Sequence, residues 1–174
     1  MANRLRDFTL SDSIFIDTNI FVYHQAGHPD FGPDSRDFLD RVERGEVEAV
    51  TTNVVVNEVI YVAQIQRAAN LLGISDRRRL HRQMAMDGTL ATECWLAAEQ
   101  FLNVLDVLEE GGLTILDVQK RHYREGCSSG KSFQIFVSDA THVVICQQLG
   151  VQHLASNDVD FDRVAFLTRW KPGA

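Results

Sequence analysis

Four acidic residues stand in surroundings where carboxylates could be put to chemical use. Asp17 closes a short apolar run in F-I-D-T-N, and Glu58 interrupts V-V-V-N-E-V-I-Y, with no other acid for many positions either way. Asp139 follows an apolar segment in V-S-D-A-T-H, and Asp158 opens the acid-rich A-S-N-D-V-D-F-D. Brought together, such groups repel: two carboxylates about 4 Å apart cost roughly 4 kcal/mol at an effective dielectric of 20. A hard divalent cation removes that cost. Mg²⁺ or Mn²⁺ suits oxygen ligands, and Mg²⁺ commonly takes one or two carboxylates and completes its shell with water and phosphate oxygens. An ion so held activates water and neutralises charge on a phosphodiester under attack. The residue types therefore point to metal-assisted phosphodiester hydrolysis without a covalent nucleophile.

Each acid alone has a plainer reading. Asp17 could cap the segment that follows it, and Asp139 could be a first-turn acid favoured by the helix dipole. Asp158, Asp160 and Asp162 could form a solvated turn. Glu58 resists dismissal, because a charge in so apolar a helix is rarely left unpaired. Asp158, directly after Ser156 and Asn157, is preferred as the fourth acid, with Asp160 in reserve.

These residues need elements to hold them. Ser13–Asp17 reads as a buried strand at about 14–17, followed by a helix or turn from Phe21 and a loop over Gly27–Asp34. Ser35 opens an amphipathic helix that Gly45 stops. A strand at 48–51 leads, with Thr51 or Thr52 as cap, into a helix over 53–72. Residues 73–111 read as a helical insert of two helices, opened by Ser75 and Thr92. A strand at 113–118, a short helix at 119–125, a loop at 126–132 and an apolar run at 133–137 follow. Ser138 then caps a helix over 139–149, closed by Gly150, and 151–155 is the last strand. Strands alternating with helices imply a three-layer α/β/α domain on a central, mainly parallel sheet. The whole chain, 1–174, reads as one domain with its core at about 14–164. In such a sheet ligands collect at the carboxyl ends of the strands, by the topological switch point, and all four acids could converge there.

The net charge of −7, from 17 basic and 24 acidic residues, argues against nucleic-acid binding by blanket phosphate attraction. A local cation would have to recruit the phosphate instead. No apolar run approaches the roughly 18 residues of a membrane span, and no signal-peptide pattern opens the chain, so a cytoplasmic protein without membrane attachment is expected. Three widely spaced cysteines suggest neither a metal knuckle nor a disulfide framework; Cys94 and Cys146 read as core and Cys127 as exposed. Arg77, Arg78, Arg79 and Arg82, with His81, are candidates for gripping RNA or a partner, against the plainer reading of a solvated helix face. Lys120, Arg121, His122 and Arg124 form a second such patch. The G-C-S-S-G-K-S stretch at 126–132 is one residue short of a phosphate-binding loop and is discounted. His142 reads as a packed histidine rather than a ligand, and Trp95 and Trp170 as core or edge packing.

In order and spacing, F-I-D-T-N, T-T-N-V-V-V-N-E-V, V-S-D-A-T-H-V-V-I-C and A-S-N-D-V-D-F-D-R-V resemble the PIN domain, most closely the VapC-like toxins of toxin–antitoxin pairs. The resemblance runs from about Ile14 to Val164. It implies a Mg²⁺- or Mn²⁺-dependent endoribonuclease, with Asp17, Glu58, Asp139 and Asp158 as the acidic quartet. Thr18, Asn19 and Ser156 would hydrogen-bond the carboxylates or a metal-bound water. It further implies an RNA substrate, a cognate antitoxin and a homodimer. Apolar positions of the insert (Leu80, Met84, Leu90, Trp95 and Leu96) would supply surface for such contacts. The insert and the lead-in of residues 1–13 are longer than in compact members. Two rivals stand beside this reading. One is a catalytically silent PIN-fold module binding RNA or a partner. The other, a haloacid-dehalogenase-like Mg²⁺-dependent phosphatase, would need an acid where this chain has Asn19.

Overall fold

Residues 3–9 and 11–173 are described by a computed structural model. In chain order its elements are β1 (Asn3–Arg4), β2 (Ile14–Ile16), α1 (Thr18–Gln25), α2 (Gly32–Glu43), β3 (Ala49–Thr52) and α3 (Asn53–Leu72). Then come α4 (Arg77–Met86), α5 (Gly88–Gly111), β4 (Leu113–Leu116), α6 (Lys120–Phe133), α7 (Val137–Leu149), β5 (His153–Ala155) and β6 (Thr168–Lys171). Two 3-10 turns, Leu5–Asp7 and Val159–Arg163, complete the list.

The strands form one sheet in the order β1-β6-β5-β2-β3-β4, and every pairing is parallel. Every residue of β2 and β3 is buried. Strands covered on both faces need no alternation of polar and apolar residues, which is why these two read as continuous apolar runs. The helices α1, α2, α3 and α5 pack among themselves, and α6 and α7 pack on each other. The result is the expected three-layer α/β/α fold on a parallel sheet.

The boundaries differ from the sequence reading where local residue types mislead. Proline in the first turn lets α2 start at Gly32, inside the anticipated loop. Asp76 caps α4, and Asp87 caps α5, accepting from Thr89 N at 2.9 Å and Leu90 N at 3.1 Å, so α5 begins a turn before Thr92. The span 73–111 is only partly an insert. Phe101, Leu105 and Leu108 belong to the main core, whereas Leu80, Leu90 and Cys94 join Ala68 in a small separate cluster. Trp95 is 58% exposed rather than packed, while Trp170 is buried as expected.

The largest correction is α6. The anticipated loop at 126–132 is helical, and 133–137 contains no strand; Gln134, with φ 57°, ends the helix. The glycines serve packing. A Cβ on Gly126 would lie 3.6 Å from the backbone of Ala140 and Thr141, and one on Gly130 would lie 3.5 Å from the Ala140 Cβ. Small residues four apart thus let α6 cross closely over the first turn of α7.

Both ends of the described chain join the sheet. β1 pairs with β6, so the domain extends past the anticipated core, and Leu5 and Phe8 are fully buried. The Phe8 ring meets Trp170 edge-on at 5.0 Å.

Candidate active site

The strand order reverses between β5 and β2, and the residues that follow those two strands meet there. Asp17, next after β2, is the N-cap of α1 and accepts from Thr18 N at 2.7 Å. Its Oδ2 also accepts from Ser156 Oγ, next after β5, at 2.6 Å, and from the Asn19 side-chain amide. Asn19 in turn donates to Ser156 Oγ at 3.0 Å and accepts from Asn157 N at 3.0 Å. The capping reading of Asp17 holds, and the carboxylate has a second set of partners besides. One carboxylate oxygen caps the helix, and the other ties the two strand ends together.

Glu58 projects from α3 into the same network. Thr18 Oγ1 donates to one carboxylate oxygen at 2.7 Å and Ser138 Oγ donates to the other at 2.7 Å. Ser138 was expected to cap α7; the cap position is Phe136, and the Ser138 hydroxyl reaches Glu58, 80 positions away in sequence. A serine before an apolar helix looks the same in either role. Asn157 was also missed: its side-chain amide donates to Tyr23 OH at 3.1 Å.

The electrostatics show how the acids are grouped. Burial, opposed by the Ser156 and Thr18 hydrogen bonds, pushes the Asp17 carboxyl up to about 7, and the charges of Asp139 and Glu58 push the same way. Asp139, in the first turn of α7, is raised to about 6 by burial and then by the charges of Asp158, Glu58 and Asp160. The four anticipated acids, with Asp160, therefore share one electrostatic neighbourhood at one edge of the sheet. They do not meet at a point. Among the described residues no three His, Cys, Asp or Glu close into a cluster that could enclose an ion.

The acids of the 158–162 turn have different partners. Asp162 takes a bidentate pair from Arg169 at 2.7 and 2.8 Å, and Asp160 faces Arg163 at 3.0 Å. Asp158 accepts from Asp160 N at 2.8 Å through one oxygen, and among the described residues no donor reaches the other. Its own N–H donates to Ser156 Oγ at 3.0 Å, fastening this turn to the Asp17 network.

His142 is fully buried against Phe15, ring centroids 5.0 Å apart, with neither ring nitrogen hydrogen-bonded. Burial lowers its pKa to about 4, so it is a neutral packed ring as anticipated. Arg77, Arg78, Arg79 and Arg82 are exposed on α4, which packs chiefly on α3 and α5. A cleft of about 560 Å³ lies at the other edge, lined by Ser13, Glu48, Ala49, Gly112 and Leu113 ahead of and at the starts of β2, β3 and β4. It has no part in the acid network.

Residues 14–167 match the PIN domain family, and the chain belongs to that family, whose members are nucleases. No curated protein matches the sequence significantly. Among solved structures, VapBC2 from Rickettsia felis, bound to a DNA fragment from its promoter, is similar with TM-score 0.55 and 16% identity. That alignment covers 92% of this chain and 98% of the other. The sarcin-ricin-loop-cleaving toxin VapC20 of Mycobacterium tuberculosis aligns with TM-score 0.55 and 16% identity, over 89% of this chain and 97% of its own. A Pyrobaculum aerophilum protein, PAE2754, aligns with TM-score 0.55 and 10% identity, over 94% and 91%. These likenesses are of fold.

Proposed function

We propose that this protein is a Mg²⁺- or Mn²⁺-dependent endoribonuclease, the toxin of a toxin–antitoxin pair. The observation that carries the reading is the gathering of acids at the switch point of the sheet, where the charges of Asp139 and Glu58 bear on buried Asp17 and those of Asp158 and Glu58 bear on Asp139. Carboxyls gathered in this way form a site that favours cations. Their spacing, too open to enclose an ion, suits one whose shell is completed by water and phosphate oxygens. Asp17, Glu58, Asp139 and Asp158 would hold the ion between them, in part through its bound waters, and Asp160 is the reserve because Arg163 already faces it. When bound, the ion would supply an activated water and neutralise charge on the scissile phosphate.

The chain's own groups set the stage for that chemistry. Ser156 and Asn19 fix one oxygen of Asp17, and Thr18 and Ser138 fix both oxygens of Glu58. Carboxylates held in this way need little reorganisation as charge builds on the phosphate. Similarity to a sarcin-ricin-loop-cleaving toxin and to a VapBC complex supports an RNA substrate and an antitoxin partner. The exposed Trp95 and Leu96 on α5, together with the arginines of α4, offer surface for an antitoxin or a second copy.

The test is cleavage of total and single-stranded RNA with Mn²⁺ or Mg²⁺. Asp139→Asn and Asp17→Asn should each lower cleavage at least a hundredfold, and excess chelator should abolish it. Undiminished cleavage by both variants, or in chelator, would refute the assignment. RNA binding without cleavage under all metal conditions would favour the silent-module reading.

A further inference from the structure

Phe136 is 82% exposed, the most solvent-exposed large apolar residue in the described chain. It immediately precedes α7, three positions before Asp139. Val137 beside it is 65% exposed, and so is Val159, between Asp158 and Asp160. The two segments that carry these residues are tied together. Arg163 donates to the Gln134 carbonyl at 2.8 Å while pairing with Asp160 at 3.0 Å. An exposed aromatic ring and two exposed valines thus lie on two joined segments that border the acids. Isolated apolar side chains are common on protein surfaces. Here three occur on two segments that meet beside the acids, and packing gives no account of them.

We propose that Phe136 is a stacking platform for an unpaired nucleobase of the substrate RNA, a proposal that rests on the ribonuclease reading above. Bases freed from a duplex stack on aromatic rings, and each stack is commonly worth one to two orders of magnitude in affinity. A base held on Phe136 delivers its neighbouring phosphodiester to the acids. The ring has no charge and does not read base edges, so selection is for unstacked, single-stranded RNA rather than for sequence. An acidic protein also gains from such a platform, because stacking draws no help from phosphate attraction.

The experiment measures fluorescence polarisation of a fluorescein-labelled single-stranded RNA oligonucleotide in chelator. It uses Asp17→Asn protein, alone and combined with Phe136→Ala or Phe136→Trp. Phe136→Ala should weaken binding about tenfold, and Phe136→Trp should bind at least as tightly as phenylalanine. An RNA with abasic positions should lose affinity for the proteins with phenylalanine or tryptophan at this position while binding the alanine form unchanged. The salt dependence should be the same for all, since no phosphate contact is removed. In otherwise wild-type protein with Mn²⁺, Phe136→Ala should raise KM about tenfold with kcat within about twofold. Equal affinities, no measurable RNA binding, or an equal loss on abasic RNA would each overturn the platform. So would an effect confined to binding of a protein partner. If RNA binding depends on Phe136 but wild-type protein cleaves nothing with Mn²⁺, the nuclease reading falls and the platform stands. If cleavage is metal-dependent and indifferent to residue 136, only the platform falls.

Discussion

Asp17 and Asp139 titrate at about 7 and about 6, against an ordinary value of 3.8. Between about pH 4 and pH 7 the unfolded chain therefore gives up protons that the folded, metal-free protein keeps. Stability should fall as the pH rises through that window and recover below it. Added Mg²⁺ should raise the melting temperature more at pH 8 than at pH 5; an equal rise at both would count against an ion at these carboxyls. The two acids should respond differently to neutralisation. Among the described residues no side-chain hydrogen bond fixes the Asp139 carboxyl, so at pH 8 in chelator Asp139→Asn should raise the melting temperature by about 2–4 °C. That is about 1 kcal/mol once solvent around a half-buried group is allowed for. The gain should vanish near pH 4. Asp17→Asn should gain less despite the larger upward shift, because its new amide would point donor hydrogens at Ser156 and Asn19. Thermal melts of both variants decide this, and a larger gain at position 17 would show the network to be less rigid than its distances imply.

The close crossing of α6 over α7 sets the place of Asp139. A Cβ at Gly126 would make ordinary contacts at 3.6 Å. Gly126→Ala should therefore stabilise by about 0.5–1 kcal/mol through helix propensity alone. Gly126→Leu should wedge the helices apart, costing about 1–3 kcal/mol and lowering cleavage by shifting Asp139. Denaturant melts alongside cleavage assays test both, and a stable, fully active leucine variant would show that the crossing does not position the acid. This helix was also the element least legible in the sequence. Gly126, Ser128, Ser129 and Gly130 are loop residues by local propensity, and the two glycines are explained only by the start of α7, whose Ala140 lies against both. β6 was missed because four residues that include Arg169 and Lys171 show no apolar pattern, although Arg169 is buried on Asp162. By contrast, β2, α3 and its Thr52 cap were readable, because long apolar periodicity and an adjacent hydroxyl are local signals. Asp17, Glu58 and Asp139 were readable as charges in apolar company. Ser138's reach to Glu58 and the Arg169 pair on Asp162 depend on contacts between segments that no local pattern announces, whereas the Arg163–Asp160 pair is a local i,i+3 contact.

On the whole molecule, α5 leaves Trp95, Leu96, Leu102 and Val107 more than a third exposed, with Trp95 and Leu102 seven positions apart on one stripe. If this surface serves self-association, sedimentation at micromolar concentration should show a dimer that Trp95→Glu with Leu96→Glu converts to monomer. A wild-type protein that sediments as a monomer and co-purifies with no small partner would remove α5 as an interface. The sheet's strand order has a further consequence, one of timing. β2 is an early segment of the chain, yet it is flanked by β5, and the Ser156 hydroxyl that anchors Asp17 lies 139 positions later. Chains are made from the amino terminus at about 5–20 residues per second, and contacts this distant in sequence form slowly. Asp17 and Glu58 leave the ribosome long before the residue that joins the two strand ends. On the nuclease reading proposed above, the order of manufacture is itself a safeguard: the two strand ends that frame the acids are not joined until residue 156 has been made.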